Sequence, residues 1–426
     1  MKRNVLAAAA VAATAVLALT GCGGAAGPAE GGGGEDGKTP LTVSVWNYEG
    51  TPEFKALFDA YEEENPDIDI QHIDILADDY AEKVTTMLAG GDTTDVLTMK
   101  SPMEYARYAS RGQLQDVSDV VGQLDTENTA NLDAYEVDGK YFAAPYRQDF
   151  WLLYYNKDLF DAAGVEYPEN LTWDEYAEAA KSLASGEGGN KVYGAYHHYW
   201  RSVVQAIASA QTGGDLIGGE YDFLADQYQT VVDLQKEGAA LDWATAMSQQ
   251  TGYRTMFETQ QAAMVPMGTW YIAPLVAAQE AGEVDFNWGL APMPQISDGE
   301  DITTFGSPTG FAVNKNAEHS EEAKAFLAWA AGDGGAAAIA EIGVVPALQT
   351  DTVTEAYFQL EGLPADDLSK EAFTPEETKL EMPISDVTSD IDAILAEEHE
   401  LIMVGEKTIE QGIADMTKRV QGEVLN

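Results

Sequence analysis

Two stretches near the start of the folded chain, LTVSVWNYEG at 41–50 and IDIQHIDI at 68–75, decide the fold class. In the first stretch Leu41, Val43 and Val45 alternate with polar residues, which is the period of a half-buried β-strand. The second stretch is rich in β-branched residues and predicts another strand. Both strands are short, and enough chain lies between them for a helix.

Strand and helix patterns continue to alternate along the chain. Apolar residues at helical spacing over 54–61 end at Asn65-Pro66, and a second helical pattern ends at Gly90-Gly91. Strands that alternate with helices predict parallel βαβ units and therefore an α/β protein. Later strands are predicted at 95–99, 150–155, 192–195, 264–266 and 311–313, and the chain beyond Thr350 is predicted to be mainly helical.

Three local signals fix turns and helix ends. Val137-Asp138-Gly139-Lys140 is typical of a β-hairpin turn. Thr172-Trp173-Asp174-Glu175 predicts a capping box, in which the Thr and Glu side chains satisfy free backbone N–H groups at a helix start. Gly332-Asp333-Gly334 loosely resembles a dinucleotide-binding fingerprint, but it follows a helical pattern, so it predicts a turn between helices.

Composition excludes several classes of function. The chain has 426 residues, 45% of them hydrophobic, and carries 72 acidic against 23 basic residues for a net charge of −49. Such a surface repels nucleic-acid phosphates and anionic bilayers. The single cysteine excludes a disulfide framework. The five histidines have no i, i+4 pair, so we expect neither a metal site nor a cofactor.

The cysteine, Cys22, lies at the end of an export signal. Lys2 and Arg3 precede sixteen uncharged, mostly apolar residues at 5–20, and Leu19-Thr20-Gly21-Cys22 resembles a bacterial lipobox. The sequence predicts a signal peptide at 1–21 and a lipidated, flexible, glycine-rich linker at 22–38. We therefore expect a bacterial protein anchored by lipid to the extracytoplasmic face of the cell membrane.

Aromatic and polar residues follow several predicted strands directly. Trp46, the segment 196–201 and Trp270 all lie at such positions. Because ligands of open α/β sheets bind at the carboxyl ends of strands, these residues indicate a binding cleft. Aromatic rings cover the apolar faces of a sugar, while carboxylates and amides bond its hydroxyl groups.

Motifs in a fixed order carry a family resemblance. The chain resembles the family-1 extracellular solute-binding proteins of ABC importers, a sugar-binding family that includes maltose-binding protein. The matching segments are Val45-Trp46, Glu64-Asn65-Pro66, Tyr80-Ala81-Glu82-Lys83-Val84, Ala144-Pro145-Tyr146, Leu153-Tyr154-Tyr155-Asn156-Lys157-Asp158, Leu171-Thr172-Trp173-Asp174, Met267-Gly268-Thr269-Trp270, Ala291-Pro292-Met293-Pro294 and Gly343-Val344-Val345-Pro346.

The resemblance implies a two-lobed, periplasmic-binding-protein-like α/β fold with a hinge and an interlobe ligand cleft. The N-terminal lobe is expected at 39–148 plus 301–348, and the C-terminal lobe at 149–300 plus 349–426 with a helical tail. The expected partners are an oligosaccharide and the permease subunits of an ABC importer, and the protein is expected to be a monomer without catalytic residues.

The resemblance also implies a set of ligand-binding positions. Neighbouring residues of an extended segment point to opposite sides, so His198 is chosen over His197. The expected ligand-binding residues are Trp46, Asn47, Tyr48, Glu49, Lys100, Asp149, Tyr196, His198, Tyr199, Trp200, Trp270, Tyr271, Gly306 and Ser307.

Two alternative functions remain open. A secreted glycoside hydrolase would use the same aromatic residues but needs two carboxylates at a fixed separation. With 72 acidic residues, such a pair cannot be identified from the sequence. A binding protein of the same fold for a peptide or a polyamine is the other alternative.

Overall fold

The computed structural model describes residues 37–100, 102–299 and 301–426. The predictions for the signal peptide, Cys22 and most of the linker lie outside these residues. The strands are β1 (Thr39–Trp46), β2 (Ile68–Ile75), β3 (Val96–Met99), β4 (Glu136–Val137), β5 (Lys140–Tyr141), β6 (Ala144–Asn156), β7 (Tyr193–Ala195), β8 (Ala262–Gly268), β9 (Trp288–Ala291), β10 (Thr303–Val313) and β11 (Glu377–Leu380).

Helices connect these strands and form most of the last seventy residues. They are α1 (Pro52–Glu64), α2 (Tyr80–Gly90), α3 (Pro102–Ser110), α4 (Ser118–Val121), α5 (Lys157–Ala163), α6 (Trp173–Leu183), α7 (Ser202–Thr212), α8 (Ala225–Lys236), α9 (Trp243–Ser248), α10 (Tyr253–Glu258), α11 (Ile272–Glu280), α12 (Ser320–Ala330), α13 (Asp333–Ala340), α14 (Asp351–Tyr357), α15 (Asp367–Glu371), α16 (Thr388–Met403) and α17 (Ile409–Arg419).

The local signals of the sequence are confirmed. Asp138 and Gly139 both have positive φ, 53° and 76°, in the turn between β4 and β5, as a two-residue hairpin of this type requires. Thr172 and Glu175 form the reciprocal bonds of a capping box at the start of α6. The predicted turn between helices is present but shorter than Gly332-Asp333-Gly334, since only residues 331–332 join α12 to α13 and Asp333 begins α13.

The strand directions in the sheet agree only in part with the predicted parallel βαβ units. Strands β2, β1 and β3 pair in parallel, as predicted. The next strand in the sheet, β10, runs antiparallel to β3 and to β6. The expectation of parallel units is therefore correct for β1 to β3 and for β7 with β8, which pair in parallel. It is wrong for β6, which pairs antiparallel with β8, β9 and β10.

Two long strands join the lobes. All 13 residues of β6 are buried. Its segment 144–150 pairs with β10, and from Trp151 onward it pairs with β8 and β9. The partner strands therefore change at Asp149–Trp151, between one half of the molecule and the other. Both strands are longer than the apolar runs at 150–155 and 311–313 predicted, because buried polar residues and prolines extend them.

Hydrophobic clusters lie on either side of this changeover. One cluster packs β1 and β3 against α1, α2, α3 and α12. A second packs the latter half of β6 with β8 and β9 against α6 and α11. A third lies between α7, α8, α16 and α17. The molecule thus has two α/β lobes, the second of which carries the helical tail.

Candidate functional site

A buried charged group lies where β6 changes partners. The Asp149 side chain is almost inaccessible, and its Oδ1 accepts a hydrogen bond from Thr269 Oγ1 at 2.9 Å. Its Oδ2 lies 2.7 Å from Arg147 Nε. The Arg147 guanidinium also donates through Nη1 to Glu53 at the start of α1. Residues of both lobes therefore meet at Asp149.

Burial and the neighbouring charges have opposite effects on the pKa values of this group. Burial raises the pKa of Asp149 and that of Glu53, and the nearby Arg147 charge opposes the rise in both. Burial opposes the Arg147 charge, but Asp149 and Glu53 outweigh that effect and raise the pKa of the guanidinium. A carboxylate offers about four lone-pair positions. Asp149 therefore retains capacity to accept a hydrogen bond from a ligand hydroxyl.

The N-terminal lobe contributes the loop that follows β1. Trp46 is buried, and its ring packs edge-on against Phe54 at 5.0 Å and Tyr80 at 5.3 Å between centroids. Lys100 Nζ lies 5.6 Å from the centroid of the Trp46 ring and donates to the Ala77 carbonyl at 2.8 Å. This places a cation over the face of the Trp46 ring.

Asn47, Tyr48 and Glu49 follow Trp46 in this loop and have other surroundings. Asn47 has a φ of 44°, and its Oδ1 accepts a bond from the Ala77 backbone N–H at 3.1 Å. The Tyr48 ring stacks on His72 of β2 with centroids 3.8 Å apart. Glu49 is exposed. Asn47 therefore stabilises the loop through its bond to Ala77, and the Tyr48 ring is covered on one face by His72.

The C-terminal lobe contributes an aromatic surface after β7 and β8. Trp200 is 38% exposed and meets the His198 ring edge-on at 4.3 Å and the Trp270 ring at 6.2 Å between centroids. Trp270 is half-buried and packs edge-on against Trp151 at 5.5 Å between centroids. Trp200 is the ring of this surface with the most free area.

Thr269 links the aromatic surface to the charged group. It precedes Trp270 in the chain, and its hydroxyl bonds Asp149. An apolar ring face and an anionic acceptor are therefore held by adjacent residues of one short 3-10 turn, Thr269–Tyr271.

The two adjacent histidines point to different partners. His197 Nε2 lies 3.0 Å from the Tyr176 hydroxyl, inside the lobe, and His198 Nδ1 lies 3.2 Å from the Tyr196 hydroxyl, next to Trp200 and Tyr253. Burial lowers the pKa of His197 to about 4 and that of His198 to about 3. Both imidazoles are therefore neutral at pH 7.

Four expected positions lie in or behind the lobe walls. Tyr196 and Tyr271 are fully buried, so their rings support the aromatic surface from behind. Gly306 and Ser307 of β10 pair with Phe150 and Asp149 of β6. A Cβ on Gly306 would lie 2.0 Å from the Asp149 carbonyl oxygen, so glycine permits this close approach of the crossing strands.

Sequence reasoning missed Glu53, Arg147, Asp78 and Tyr253. Arg147 and Asp149 are two residues apart on one strand and so share a face, a signal that was available. After burial, Asp78 of the N-terminal lobe is the charge that raises the pKa of Tyr199 in the C-terminal lobe. The charge of Asp78 therefore acts on the Tyr199 hydroxyl. No local pattern marks Asp78 or Tyr253.

Other surfaces of the described residues have fewer polar groups free to bind a ligand. A groove of about 640 Å³ beside α4 and the β4–β5 hairpin lies outside the cleft. Its Ser118 and Thr129 hydroxyls already donate to Asp116 and to the Asp125 carbonyl. Within the described ranges, no three His, Cys, Asp or Glu side chains are grouped as metal ligands. No described helix has the length and apolar character needed to cross a bilayer.

Comparison with known proteins assigns the family. The model of the bacterial extracellular solute-binding protein family matches residues 47–337, which is more than half of the chain. The chain therefore belongs to this family. Its solved relatives share the two-lobed fold with an interlobe cleft described above.

Individual relatives match over most of the chain. A sugar transporter of Rhizobium etli, solved in an open conformation, is 35% identical, with 90% of this chain and 99% of that chain covered and a TM-score of 0.77. The diacetylchitobiose-binding protein of Streptomyces coelicolor is 26% identical over 367 residues, which are 81% of this chain and 82% of the relative. An ABC substrate-binding protein of Listeria monocytogenes in complex with cycloalternan has a TM-score of 0.79 at 22% identity, with 90% and 98% covered, and supports the fold.

Proposed function

We propose that this protein captures a di- or oligosaccharide between its lobes and delivers it to the permease of an ABC importer. The observation that carries the proposal is the pairing, through Thr269, of the Trp200–Trp270 aromatic surface with the Asp149 carboxylate. Rings cover the C–H faces of a sugar, and an anionic acceptor selects among its hydroxyls. The named specificities of the relatives, diacetylchitobiose and maltodextrin among them, support a sugar ligand.

The proposed lobes are 39–148 plus 301–348 and 149–300 plus 349–426. The change of strand partners in β6 after Phe150 and the separate hydrophobic clusters support this division. We propose that the protein acts as a monomer, because one chain supplies both walls of the cleft.

The ligand-binding residues we propose are the expected ones whose side chains lie along the cleft. Trp200, Trp270, His198 and Tyr199 form the C-terminal wall, Asp149 the floor, and Trp46 and Lys100 the N-terminal wall. Tyr253 joins them, because its ring meets the His198 ring edge-on. Tyr196, Tyr271, Gly306 and Ser307 act by supporting these residues.

A thermal-shift panel tests the ligand class. N,N′-diacetylchitobiose, maltotriose and mannitol are compared with putrescine and a tripeptide. A sugar at 100 times its Kd adds about 2.7 kcal/mol to the free energy of unfolding, which raises the melting temperature. Stabilisation by putrescine or the tripeptide alone contradicts a sugar ligand, and release of monosaccharide during incubation indicates the glycoside hydrolase alternative.

The lipid anchor is a separate part of the proposal. Lys2, Arg3 and the lipobox ending at Cys22 support export followed by lipidation. The variant Cys22→Ser is expected to be exported but recovered in the soluble fraction, because no other cysteine is present to carry the lipid. Cell fractionation with immunoblotting measures this. A Cys22→Ser protein that stays with the membrane rules out the anchor.

A further inference from the structure

Three buried charged side chains form a line across the hinge. Glu53 lies on α1 of the N-terminal lobe, and Arg147 and Asp149 lie on the crossing strand β6. Their exposed fractions are 3%, 7% and 4%. Charged residues are almost never buried unless they are paired, so a defined role for each is expected.

The guanidinium of Arg147 has oxygen partners on each of its edges. Nη1 donates to Glu53, Nη2 donates to Thr309 Oγ1 at 3.1 Å, and Nε lies 2.7 Å from Asp149 Oδ2. Because the guanidinium is planar and its donors have a fixed geometry, the two hydrogen bonds fix its orientation. Nε meets Asp149 as an ion pair without hydrogen-bond geometry. The orientation of Arg147 in turn fixes one oxygen of Asp149.

Glu53 also changes the charge that Asp149 experiences. Two carboxylates share one guanidinium, so the group as a whole remains negative. Without the Glu53 charge, Arg147 and Asp149 would form a neutral pair that is a weaker acceptor for a hydroxyl. Glu53 makes its ion pair at Nη1 of Arg147, whereas Asp149 lies at Nε.

We infer that Glu53 is a positioning residue for ligand binding, acting through Arg147 on the carboxylate of Asp149. It holds the guanidinium so that Asp149 is oriented and charged to accept a hydrogen bond from a sugar hydroxyl. The inference rests on the proposed function, since that function places Asp149 at the ligand.

A double-mutant cycle distinguishes this role from a merely structural one. The variants are Glu53→Gln, Asp149→Asn and the double variant, each titrated by calorimetry with N,N′-diacetylchitobiose or, if it binds more tightly, maltotriose. We expect Glu53→Gln to weaken binding by about tenfold. In the Asp149→Asn background the same change is expected to shift the affinity by less than about twofold, because coupled residues are not additive.

Matched variants control for stability. Glu63→Gln removes a charge from an exposed position of the same helix and is expected to leave the affinity unchanged. If Glu53→Gln does not fold, Thr309→Val removes another acceptor of the same guanidinium. That variant is expected to weaken binding in the wild-type background but not beside Asp149→Asn.

The outcomes separate the inference from the function on which it rests. Additive losses, or wild-type affinity in a folded Glu53→Gln protein, overturn the positioning role and leave the sugar site intact. Wild-type affinity in Asp149→Asn overturns the placement of Asp149 at the ligand, and the positioning role with it.

Discussion

Single residues of the aromatic surface differ in how much ring area they leave for a ligand. Trp200 is 38% exposed, whereas Trp270 is half-buried and packed on Trp151. A substitution of Trp270 therefore disturbs both the site and the packing of its lobe. Trp200 is the residue whose removal tests ligand stacking alone.

Trp200→Ala is expected to weaken sugar binding at least about tenfold, or 1.4 kcal/mol, because it removes an exposed stacking face. The melting temperature of the unliganded protein is expected to change little. Trp288, which is 4% exposed in the core of the same lobe, supplies the matched control. Trp288→Ala should cost about 3–5 kcal/mol of unfolding free energy through the cavity it opens. Calorimetric titration and melting curves of both variants measure the contrast, and equal effects on melting would refute it.

A second residue-scale prediction concerns pH. Burial lowers the pKa of His399 to about 3, while an unfolded chain titrates its histidines near 6.5. The folded protein therefore keeps His399 neutral while the unfolded chain gains a proton. This contribution to stability is complete above about pH 6.5 and is lost as the pH falls toward 3.

The variant His399→Gln isolates that contribution. Its free energy of unfolding is expected to fall less steeply than that of the wild type between pH 6.5 and 4. Denaturant titrations at several pH values measure both slopes. Parallel curves would show that His399 takes up its proton equally in the folded and unfolded chains.

At the scale of elements, the crossing strands depend on close backbone contact. Gly306 of β10 faces Phe150 of β6 in the register, and an added Cβ would meet the Asp149 carbonyl oxygen at 2.0 Å. The backbone of β6 has little room to yield to an added Cβ, because this strand is buried along its whole length. The hinge therefore tolerates no side chain at this position.

Gly306→Ala is expected to lower the free energy of unfolding by at least about 2 kcal/mol, as overpacking in a buried site does. It should also weaken sugar binding, because Asp149 must shift. Gly189→Ala is the control, since no atom lies within 4 Å of a Cβ built there. Denaturant unfolding compares the two, and a Gly306→Ala protein as stable as Gly189→Ala would contradict the register described for β6 and β10.

At the scale of the whole molecule, two lobes joined by crossing strands form a hinge. A ligand that touches both walls of the cleft favours the closed arrangement, because it binds that arrangement more tightly. A relative of the same fold is known in an open conformation.

The radius of gyration is therefore expected to fall when the best sugar of the panel is added at saturation. Small-angle X-ray scattering with and without that sugar measures it. Trp200→Ala at the same sugar concentration serves as the control and should show a smaller change. An unchanged scattering curve for the saturated wild type would count against closure.

Interactions between residues close in the chain made several elements predictable from the sequence alone. The alternation in β1, the hairpin at Asp138-Gly139 and the capping box at Thr172 depend on residues within a few positions of each other. Strand periodicity, positive φ and helix capping are set by such short-range sterics and hydrogen bonds. The ordered motifs from Val45-Trp46 to Gly343-Val344-Val345-Pro346 were sufficient for the family.

Only the tertiary structure decided the hinge and the layout of the cleft. Pro145, Arg147 and Gly306 do not resemble central-strand residues, yet they lie in β6 and β10, where buried ion pairs and close backbone contact accommodate them. The Glu53–Arg147 pair joins residues 94 positions apart. The sequence alone determined the α/β class and the family, because their signals are local or ordered along the chain. The pairing of β6 with β10 and the charged group at Asp149 were decided by folding, because long-range contacts leave no periodic signal in the sequence.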